Sequence, residues 1–206
     1  MRKADKALYL AKEKGKNRHI IYEERLHGKL ETDDMQNMAM AYAVSKEKKR
    51  EAITEMITEL CVSGVNAIVK SEERLQQIRS LFDLDGITVF SDRGNRLVCR
   101  NGNYMAEAPD GRLGFEDEGY LSLFGDDDIF VESNMIKLRS QNPAAYAVTQ
   151  EQEVGAALQC LSRKEGIPYT MVSFEVFNRN RKWSDKDVTL LTLLGHCIGD
   201  LLNYSE

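Results

Sequence analysis

The sequence lacks any apolar run near the roughly 18 residues that span a bilayer, and its first residues lead into no signal-peptide core. We therefore expect a cytoplasmic protein without a membrane segment. Cys-x-x-Cys pairs are also absent, and no histidine lies at metal-ligand spacing from any of the four cysteines, Cys61, Cys99, Cys160 and Cys197. This spacing excludes a disulfide framework and a zinc site, and it predicts reduced thiols that mostly fill the core.

Motifs of catalysis are equally scarce. The chain has only 3 histidines, and serine, histidine and acidic residues are not organised around any nucleophile motif, so a hydrolase triad is not predicted. The acidic run 126–128 lacks the spaced oxygen ligands of a calcium loop and is typical of a solvated turn. The sequence therefore identifies no catalytic residue, no metal site and no cofactor.

The charge of the chain is unevenly distributed. Residues 1–50 carry 13 Lys+Arg and 8 Asp+Glu, whereas the rest of the chain carries a balance of -10 within a formal net charge of -5. Such an acidic main body argues against nucleic-acid binding, which needs a concentrated basic face. The basic beginning could contact phosphate or could be a solvated helix face, and its different composition predicts a separate piece of structure.

The first sixty residues predict two helical segments on either side of a polar connector. Helical spacing over 4–14 ends at Gly15 and leads into a short strand over 19–22, and 23–34 is almost wholly polar. A long helix from 35 to 60 would then carry two apolar stretches separated by charged residues. It could pair with a partner helix or pack on its own domain, and the sequence leaves both open.

The remaining elements follow from capping residues and periodicity. Ser71 caps a helix that runs to Phe82, and Asp92-Arg93-Gly94-Asn95 is the turn of a hairpin. We predict strands over 86–90, 96–100, 129–131 and 169–177 and a helix over 151–164.

The last predicted helix opens at Ser184, which caps it, after Trp183, which we interpret as a structural anchor. Its apolar arc is wider than one core face needs, so a second surface must cover part of it. We therefore expect a homodimer formed through helices around 35–60 and 184–204. The fold class is α+β: an antiparallel sheet with helices packed on one side and the N- and C-terminal helices forming a bundle.

The run Ala4-Asp5-Lys6-Ala7-Leu8-Tyr9-Leu10-Ala11-Lys12-Glu13-Lys14-Gly15-Lys16-Asn17-Arg18 resembles the C-terminal signature of GGDEF domains, the diguanylate cyclases. The resemblance covers residues 1–22 and implies that Lys12 and Lys16 are phosphate-binding positions, which act only in an intact cyclase. The sequence contains no Gly-Gly pair, and the family's metal-binding carboxylates would lie upstream. This chain is therefore not expected to synthesise cyclic di-GMP by itself.

Residues 45–206 resemble a GAF domain. The resemblance rests on the helix before residue 82, on Asp85-Gly86-Ile87-Thr88-Val89-Phe90-Ser91-Asp92 with its hairpin, and on Lys182-Trp183-Ser184-Asp185-Lys186-Asp187 before a leucine-rich helix. It implies a domain that binds a small molecule between sheet and loops and dimerises through its first and last helices. The predicted organisation is a GGDEF remnant at 1–22, a linker with the start of a connecting helix at 23–44, and a GAF domain at 45–206.

The GAF resemblance does not name a ligand. The Asn-Lys-Phe-Asp-Glu set of cyclic-nucleotide members cannot be assembled here, and His196-Cys197 lies on the last helix rather than beside a bilin site. Candidate pocket residues are Tyr104, Tyr120, Phe124, Phe130 and Asn134, which would supply aromatic walls with few polar anchors. The same aromatic residues could instead be ordinary core.

Two functional hypotheses follow. The first is a ligand-sensing regulatory GAF domain that follows a GGDEF domain and controls how two cyclase domains pair. The second is a GAF-like module that has lost its ligand and serves in dimerisation or protein interaction.

Overall fold

The computed structural model describes residues 32–66, 71–91, 96–104, 117–143 and 153–204, and the single positions 7, 21, 23, 25 and 146. The chain divides into two compact units, Met1–Lys48 and Lys49–Glu206. Segment 1–22, with Lys12 and Lys16, lies outside the described residues apart from two single positions, as does the predicted turn 92–95. The proposed phosphate positions and the domain boundaries therefore stay predictions.

The first described element is a continuous helix, α1, at Thr32–Ser63. The prediction that one helix holds both apolar stretches is therefore confirmed, although the helix begins inside the segment expected to be a connector. In its second half one face is buried and carries Ala52, Ile53, Met56 and Leu60. The charged middle of the helix is mostly exposed. No helix in the described part of the chain combines the length and the apolar character that crossing a membrane would need.

Helix α2, at Glu72–Phe82, begins at the predicted cap, where the Ser71 side chain accepts a hydrogen bond from the backbone N–H of Arg74. It ends at Asp83, whose left-handed backbone, at φ 57°, turns the chain towards the sheet. The face that carries Leu75, Ile78 and Phe82 is buried. Only three residues therefore separate the end of α2 at Phe82 from the start of the first strand at Gly86.

The sheet has five strands in the order β2-β1-β5-β4-β3, and every neighbouring pair is antiparallel. The strands are β1 at Gly86–Ser91, β2 at Arg96–Gly102, β3 at Ile129–Glu132, β4 at Val154–Lys164 and β5 at Ile167–Phe177. Between them lie the short helices α3 at Glu118–Leu121 and α4 at Leu138–Gln141, with a 3₁₀ turn at Met135–Lys137 before α4. The last helix, α5, spans Asp185–Tyr204. The predicted hairpin and the predicted strands over 129–131 and 169–177 are confirmed.

The prediction of a helix over 151–164 is wrong, because this segment supplies β4. Val154, Ala157, Leu158 and Leu161 follow helical spacing, but every residue from Ala156 to Ser162 is buried. A strand that is covered on both faces has a nearly continuous apolar sequence, which periodicity cannot distinguish from a buried helix. The correction gives the sheet its longest strand pairing, since β4 and β5 pair along most of their length.

Two clusters of buried side chains cover the two faces of the sheet. The face towards α1, α2 and α5, which we call the helix face, carries Ile87, Val89, Leu158, Val172 and Phe174. The opposite face, which we call the second face, carries apolar side chains that pack with residues of 120–138. The expected α+β architecture, an antiparallel sheet with its long helices on one side, is confirmed.

Candidate functional site

The second face of the sheet carries a row of polar residues at its centre. Strand register places Arg100 of β2 beside Thr88 of β1, Thr88 beside Ser173 of β5, and Ser173 beside Gln159 of β4. The side chains of Thr88, Gln159 and Ser173 are buried. Burying polar groups costs free energy unless they are hydrogen-bonded, so such a row in the middle of a sheet requires an explanation beyond packing.

Glu175 lies two residues after Ser173 in β5 and therefore on the same face of the sheet. Its Oε2 accepts hydrogen bonds from the Tyr104 hydroxyl at 2.7 Å and from Thr88 Oγ1 at 3.3 Å. Burial raises the pKa of the Glu175 carboxyl, while the bonds from Tyr104 and Ser173 and the positive charge of Arg100 act in the opposite direction. A carboxyl held in this way can exchange hydrogen bonds with a ligand.

Tyr104 occupies the space above Gly86 and Gly102, two neighbouring glycines in β1 and β2. A Cβ atom added at Gly86 would lie 2.7 Å from Cζ of the tyrosine and would also meet its hydroxyl oxygen. The ring makes an edge-on contact with Phe177 at 5.0 Å between centroids, and the Arg100 guanidinium lies 3.7 Å over the ring. Burial, above all, raises the pKa of the Tyr104 hydroxyl, which therefore stays a hydrogen-bond donor.

A second tyrosine approaches the polar row from helix α3. The Tyr120 hydroxyl lies 2.7 Å from Gln159 Oε1 and 3.2 Å from Met171 Sδ, and Gln159 in turn donates from Nε2 to Ser173 Oγ at 3.3 Å. Burial raises the pKa of Tyr120 as well. The Glu175 carboxyl and the Gln159 amide lie on the adjacent strands β5 and β4. Tyr104, which follows β2, and Tyr120, in α3, therefore contact one polar surface from two separate segments.

The remaining candidate residues have different surroundings. Phe124 and Phe130 are buried, and the ring centroid of Phe124 lies 5.9 Å from that of Phe130 and 5.5 Å from that of Tyr120. Asn134 caps the 3₁₀ turn, where its Oδ1 accepts from the backbone N–H of Ile136 at 3.1 Å. The lining of a pocket by these residues stays a prediction, and the structure adds the polar group that sequence reasoning missed: Thr88, Gln159, Ser173 and Glu175.

A signal for that group was present in the sequence. Within the alternating strand 169–177, Ser173 and Glu175 stand at every second position, so they fall on one face, opposite Val172, Phe174 and Val176. A strand that is polar on one face normally exposes that face to solvent. Only the structure shows that Ser173 is buried.

The structure also shows how the side chains that could bind a metal ion, and the cysteines that could attach a chromophore, are arranged. In the part of the chain that the structure describes, no group of three or more His, Cys, Asp or Glu side chains is arranged to hold a metal ion. Asp128 of the acidic run forms an ion pair with Arg163 at 2.8 Å. All four cysteines are described: Cys160 lies in the core on the helix face, Cys99 and Cys197 pack against that core, and Cys61 is exposed on α1.

The sheet order, the long helices on one face and the loop-covered second face together define the GAF fold. No known family model matches the chain, and no curated protein matches its sequence. Solved GAF structures do match. The far-red absorbing dark state of JSC1_58120g3 with bound biliverdin IXa matches at 15% identity and a TM-score of 0.57, over 75% of this chain and 98% of that chain.

Two other GAF structures match over similar lengths. The PixJ GAF domain of Thermosynechococcus elongatus in its blue-light absorbing form has 14% identity and a TM-score of 0.54, over 70% of this chain and 88% of its own. The A. aeolicus nlh2 GAF domain in an inactive state has 14% identity and a TM-score of 0.51, over 79% and 99%. At these identities the matches establish the fold and leave the ligand of this chain to its own residues.

Proposed function

We propose that this chain is a regulatory, sensory GAF domain that binds a small molecule on the second face of its sheet. The single observation that carries the proposal is the polar group formed by the buried residues Thr88, Ser173 and Gln159 with the half-buried Glu175 beneath two tyrosines. Small-molecule sites combine apolar and aromatic walls with a few convergent polar groups, one of them often with a shifted pKa. The expected ligand is not attached through a cysteine, because the core on the helix face holds or contacts three of the four thiols and the other is exposed on α1.

The experiment is a thermal-shift screen of the chain against nucleotides and metabolites, followed by titration of each hit. A ligand at about 100 times its dissociation constant stabilises a domain by about 2.7 kcal/mol. We expect Glu175→Gln to weaken the hit at least tenfold. Glu55→Gln, an exposed change on α1, is the matched control and should leave binding unchanged.

The second candidate is a GAF-like module without a ligand. It is supported by the packing of Tyr120, Phe124 and Phe130 as core and by the internal bonding of Tyr104 and Tyr120 hydroxyls. Under this alternative, no compound in the screen stabilises the chain, and Glu175→Gln changes only stability. The same experiment therefore distinguishes the two functions.

We further propose that the parent protein is of the diguanylate cyclase type and that ligand binding regulates cyclic di-GMP synthesis. The support is the resemblance of residues 1–22 to the end of a GGDEF domain, with Lys12 and Lys16 at its phosphate positions. The 206-residue chain alone should convert no GTP. Joined to a complete GGDEF domain, it should change the rate of cyclic di-GMP formation when the ligand is added, and an unchanged rate would contradict this part of the proposal.

Regulation of this kind needs a dimer, because each active site of such a cyclase joins two GTP molecules held by two domains. Exposed apolar side chains on the proposed dimer helices support it: Val62 of α1 is 81% exposed and Leu193 of α5 is 55% exposed. Sedimentation should detect a dimer that Val62→Glu or Leu193→Glu dissociates. Ile167→Glu, at an exposed apolar position in β5, is the control and should leave the dimer intact, whereas a wild-type monomer at all concentrations would contradict the proposal.

A further inference from the structure

Gly86, the first residue of β1, pairs with Gly102, the last residue of β2. Glycine in a strand often marks the close approach of a ligand or of another backbone. At Gly86 a side chain occupies the space, since a Cβ atom there would lie 2.7 Å from Cζ of Tyr104. At Gly102 the nearest atoms belong to the backbone of Asp85 and Gly86, and Cε2 of Tyr104 follows at 3.0 Å. The absence of a side chain at Gly86 thus leaves a depression that one aromatic ring fills.

The residues around this depression contact the Tyr104 ring through the same kinds of interaction that bind planar ligands in proteins. Phe177 contacts it edge to face, and the Arg100 guanidinium covers its exposed side. At the far end, the hydroxyl lies 2.6 Å from Thr88 Oγ1 and 2.7 Å from Glu175 Oε2. We call the six residues that surround the ring the ring cradle: Gly86, Gly102, Thr88, Arg100, Phe177 and Glu175.

The side chain in the cradle comes from outside the regular sheet. Strand β2 ends at Gly102, so Tyr104 lies two residues beyond the last ladder position. Moving the ring therefore breaks the two hydrogen bonds of its hydroxyl and its ring contacts, but no strand pairing. Glu175, Thr88 and Gly86, in contrast, are held in β1 and β5, inside the sheet.

We propose that the ring cradle is the ligand position of this domain and that Tyr104 is its internal occupant, which a planar aromatic ligand with a hydroxyl or N–H donor at its rim displaces. This inference rests on the proposed function and names the ligand class for the same site. The donor requirement follows from the Glu175 carboxyl, whose Oε2 accepts from the tyrosine and would accept from the ligand. The planar requirement follows from the ring that fills the position now, which lies close over Gly86 and has the Arg100 guanidinium 3.7 Å from its centroid.

Displacement has a quantitative consequence. A ligand that competes with an internal occupant binds wild-type protein more weakly than a variant without the occupant. Its apparent dissociation constant for wild type is the intrinsic constant divided by the fraction of molecules in which the cradle is free. The probe is 4-methylphenol, which is the tyrosine side chain without its backbone. Toluene is the matched ligand, since it lacks only the hydroxyl.

Calorimetric titrations with both probes should compare wild type, Tyr104→Ala and Tyr120→Ala. The last variant is the matched control, because it removes an equally bonded ring from the same face of the sheet. We expect Tyr104→Ala to bind 4-methylphenol at least tenfold more tightly than wild type or Tyr120→Ala does, and at least tenfold more tightly than it binds toluene. Glu175→Ala added to Tyr104→Ala should abolish that preference for the hydroxyl.

Wild-type protein must also bind 4-methylphenol, or Tyr104 is simply core. We expect the ¹⁹F signal of Tyr104 in protein labelled with 3-fluorotyrosine, assigned with Tyr104→Phe, to move towards the signal of a solvated tyrosine as the probe is added. No movement at 1,000 times the dissociation constant of Tyr104→Ala overturns the inference. If Tyr104→Ala does not fold, 4-methylphenol should restore its circular dichroism, and failure to do so counts equally against the proposal.

The inference can fail while the proposed function stands. A metabolite from the screen that binds wild type and Tyr104→Ala with equal affinity would occupy another position on the second face, which overturns the cradle as the ligand site. A chain that no metabolite stabilises contradicts the proposed function itself, whatever 4-methylphenol does.

Discussion

The Lys49 ammonium lies 2.7 Å from the Asp187 carboxylate, a contact that joins helix α1 to the first turn of α5. Arg181 shares the same carboxylate at 3.3 Å and also donates to the carbonyl oxygens of Phe82 and Asp83, where α2 ends. Asp187 thus links α5 to α1 directly and to the end of α2 through Arg181. Asp187 therefore has two roles: its backbone N–H donates to Oγ of Ser184, the predicted cap, and its carboxylate binds the two cations.

The first prediction concerns the asymmetry of this ion group. Asp187→Asn leaves Lys49 and Arg181 together without their shared anion, and both ends of the Lys49–Asp187 pair are largely buried. We expect a loss of about 3 kcal/mol in the free energy of unfolding, because a buried charge that loses its partner is costly. Lys49→Met leaves Asp187 paired with Arg181 and should cost about 1 kcal/mol. Urea unfolding measures both values.

The control for this prediction is Asp185→Asn, which removes an exposed acidic side chain from the same helical turn. It should cost no more than about 0.5 kcal/mol, the effect of losing one favourable charge near a helix N-terminus. Equal losses for Asp185→Asn and Asp187→Asn would show that only the helix dipole, and not the ion group, is involved.

The second prediction concerns the close approach of α5 to the sheet at Gly199. A Cβ atom there would lie 2.9 Å from Cβ of Ser162 and would also meet its hydroxyl oxygen. Gly199→Ala should therefore destabilise by about 1–3 kcal/mol through overpacking, although alanine is favoured over glycine in helices by about 1 kcal/mol. Thermal or urea unfolding gives the value.

Ser162→Ala supplies the matching test, because the Ser162 hydroxyl is buried and has no hydrogen-bond partner. This change alone should be neutral or stabilising. In the double variant it should recover part of the loss caused by Gly199→Ala. Strictly additive effects of the two substitutions would mean that the helix does not approach the sheet at this point.

The sequence predicted the elements whose local signals agree with their environment. Ser71 begins α2, and the two hairpin strands lie where they were predicted, because a capping residue and turn residues between two strand-forming runs each leave a local pattern. Strand β4 was missed because both of its faces are buried, and its burial depends on helix α5 on one side and on residues 120–138 on the other. No local pattern contains that information.

The candidate site follows the same logic. The sequence identified Tyr104 and Tyr120 as candidate aromatic walls of a pocket, and the structure places both against one polar surface. Glu175 did not stand out, since an acidic residue in an alternating strand normally faces water. Its importance arises from the strand order, which sets β5 at the centre of the sheet between β1 and β4.

The third prediction concerns the reactivity of the four cysteines. Cys61 is exposed, whereas burial raises the pKa of Cys99 to about 11 and that of Cys160 to about 12. Burial also raises the pKa of Cys197. Because the thiolate is the reactive form, Ellman's reagent at pH 8 should modify one thiol rapidly and the others slowly. Cys61→Ser should remove the rapid phase, and a rapid phase that survives this change would contradict the assignment.

The last prediction concerns the pH dependence of stability. Since burial raises the folded-state pKa of Glu175 above the value near 4.3 of an unfolded chain, the folded state holds this proton more tightly. Its contribution is therefore fully present below the unfolded pKa and is lost as pH rises through the folded pKa, by at most about 1.4 kcal/mol per pH unit. Tyr104, Ser173 and Arg100 face the carboxyl and limit the rise of its pKa.

Glu175→Gln cannot ionise, so its stability relative to wild type should increase between pH 4 and pH 7 in urea unfolding. For the exposed control Glu55→Gln the difference should stay nearly constant, and a relative stability of Glu175→Gln that falls with rising pH would show that the carboxylate is stabilised in the fold.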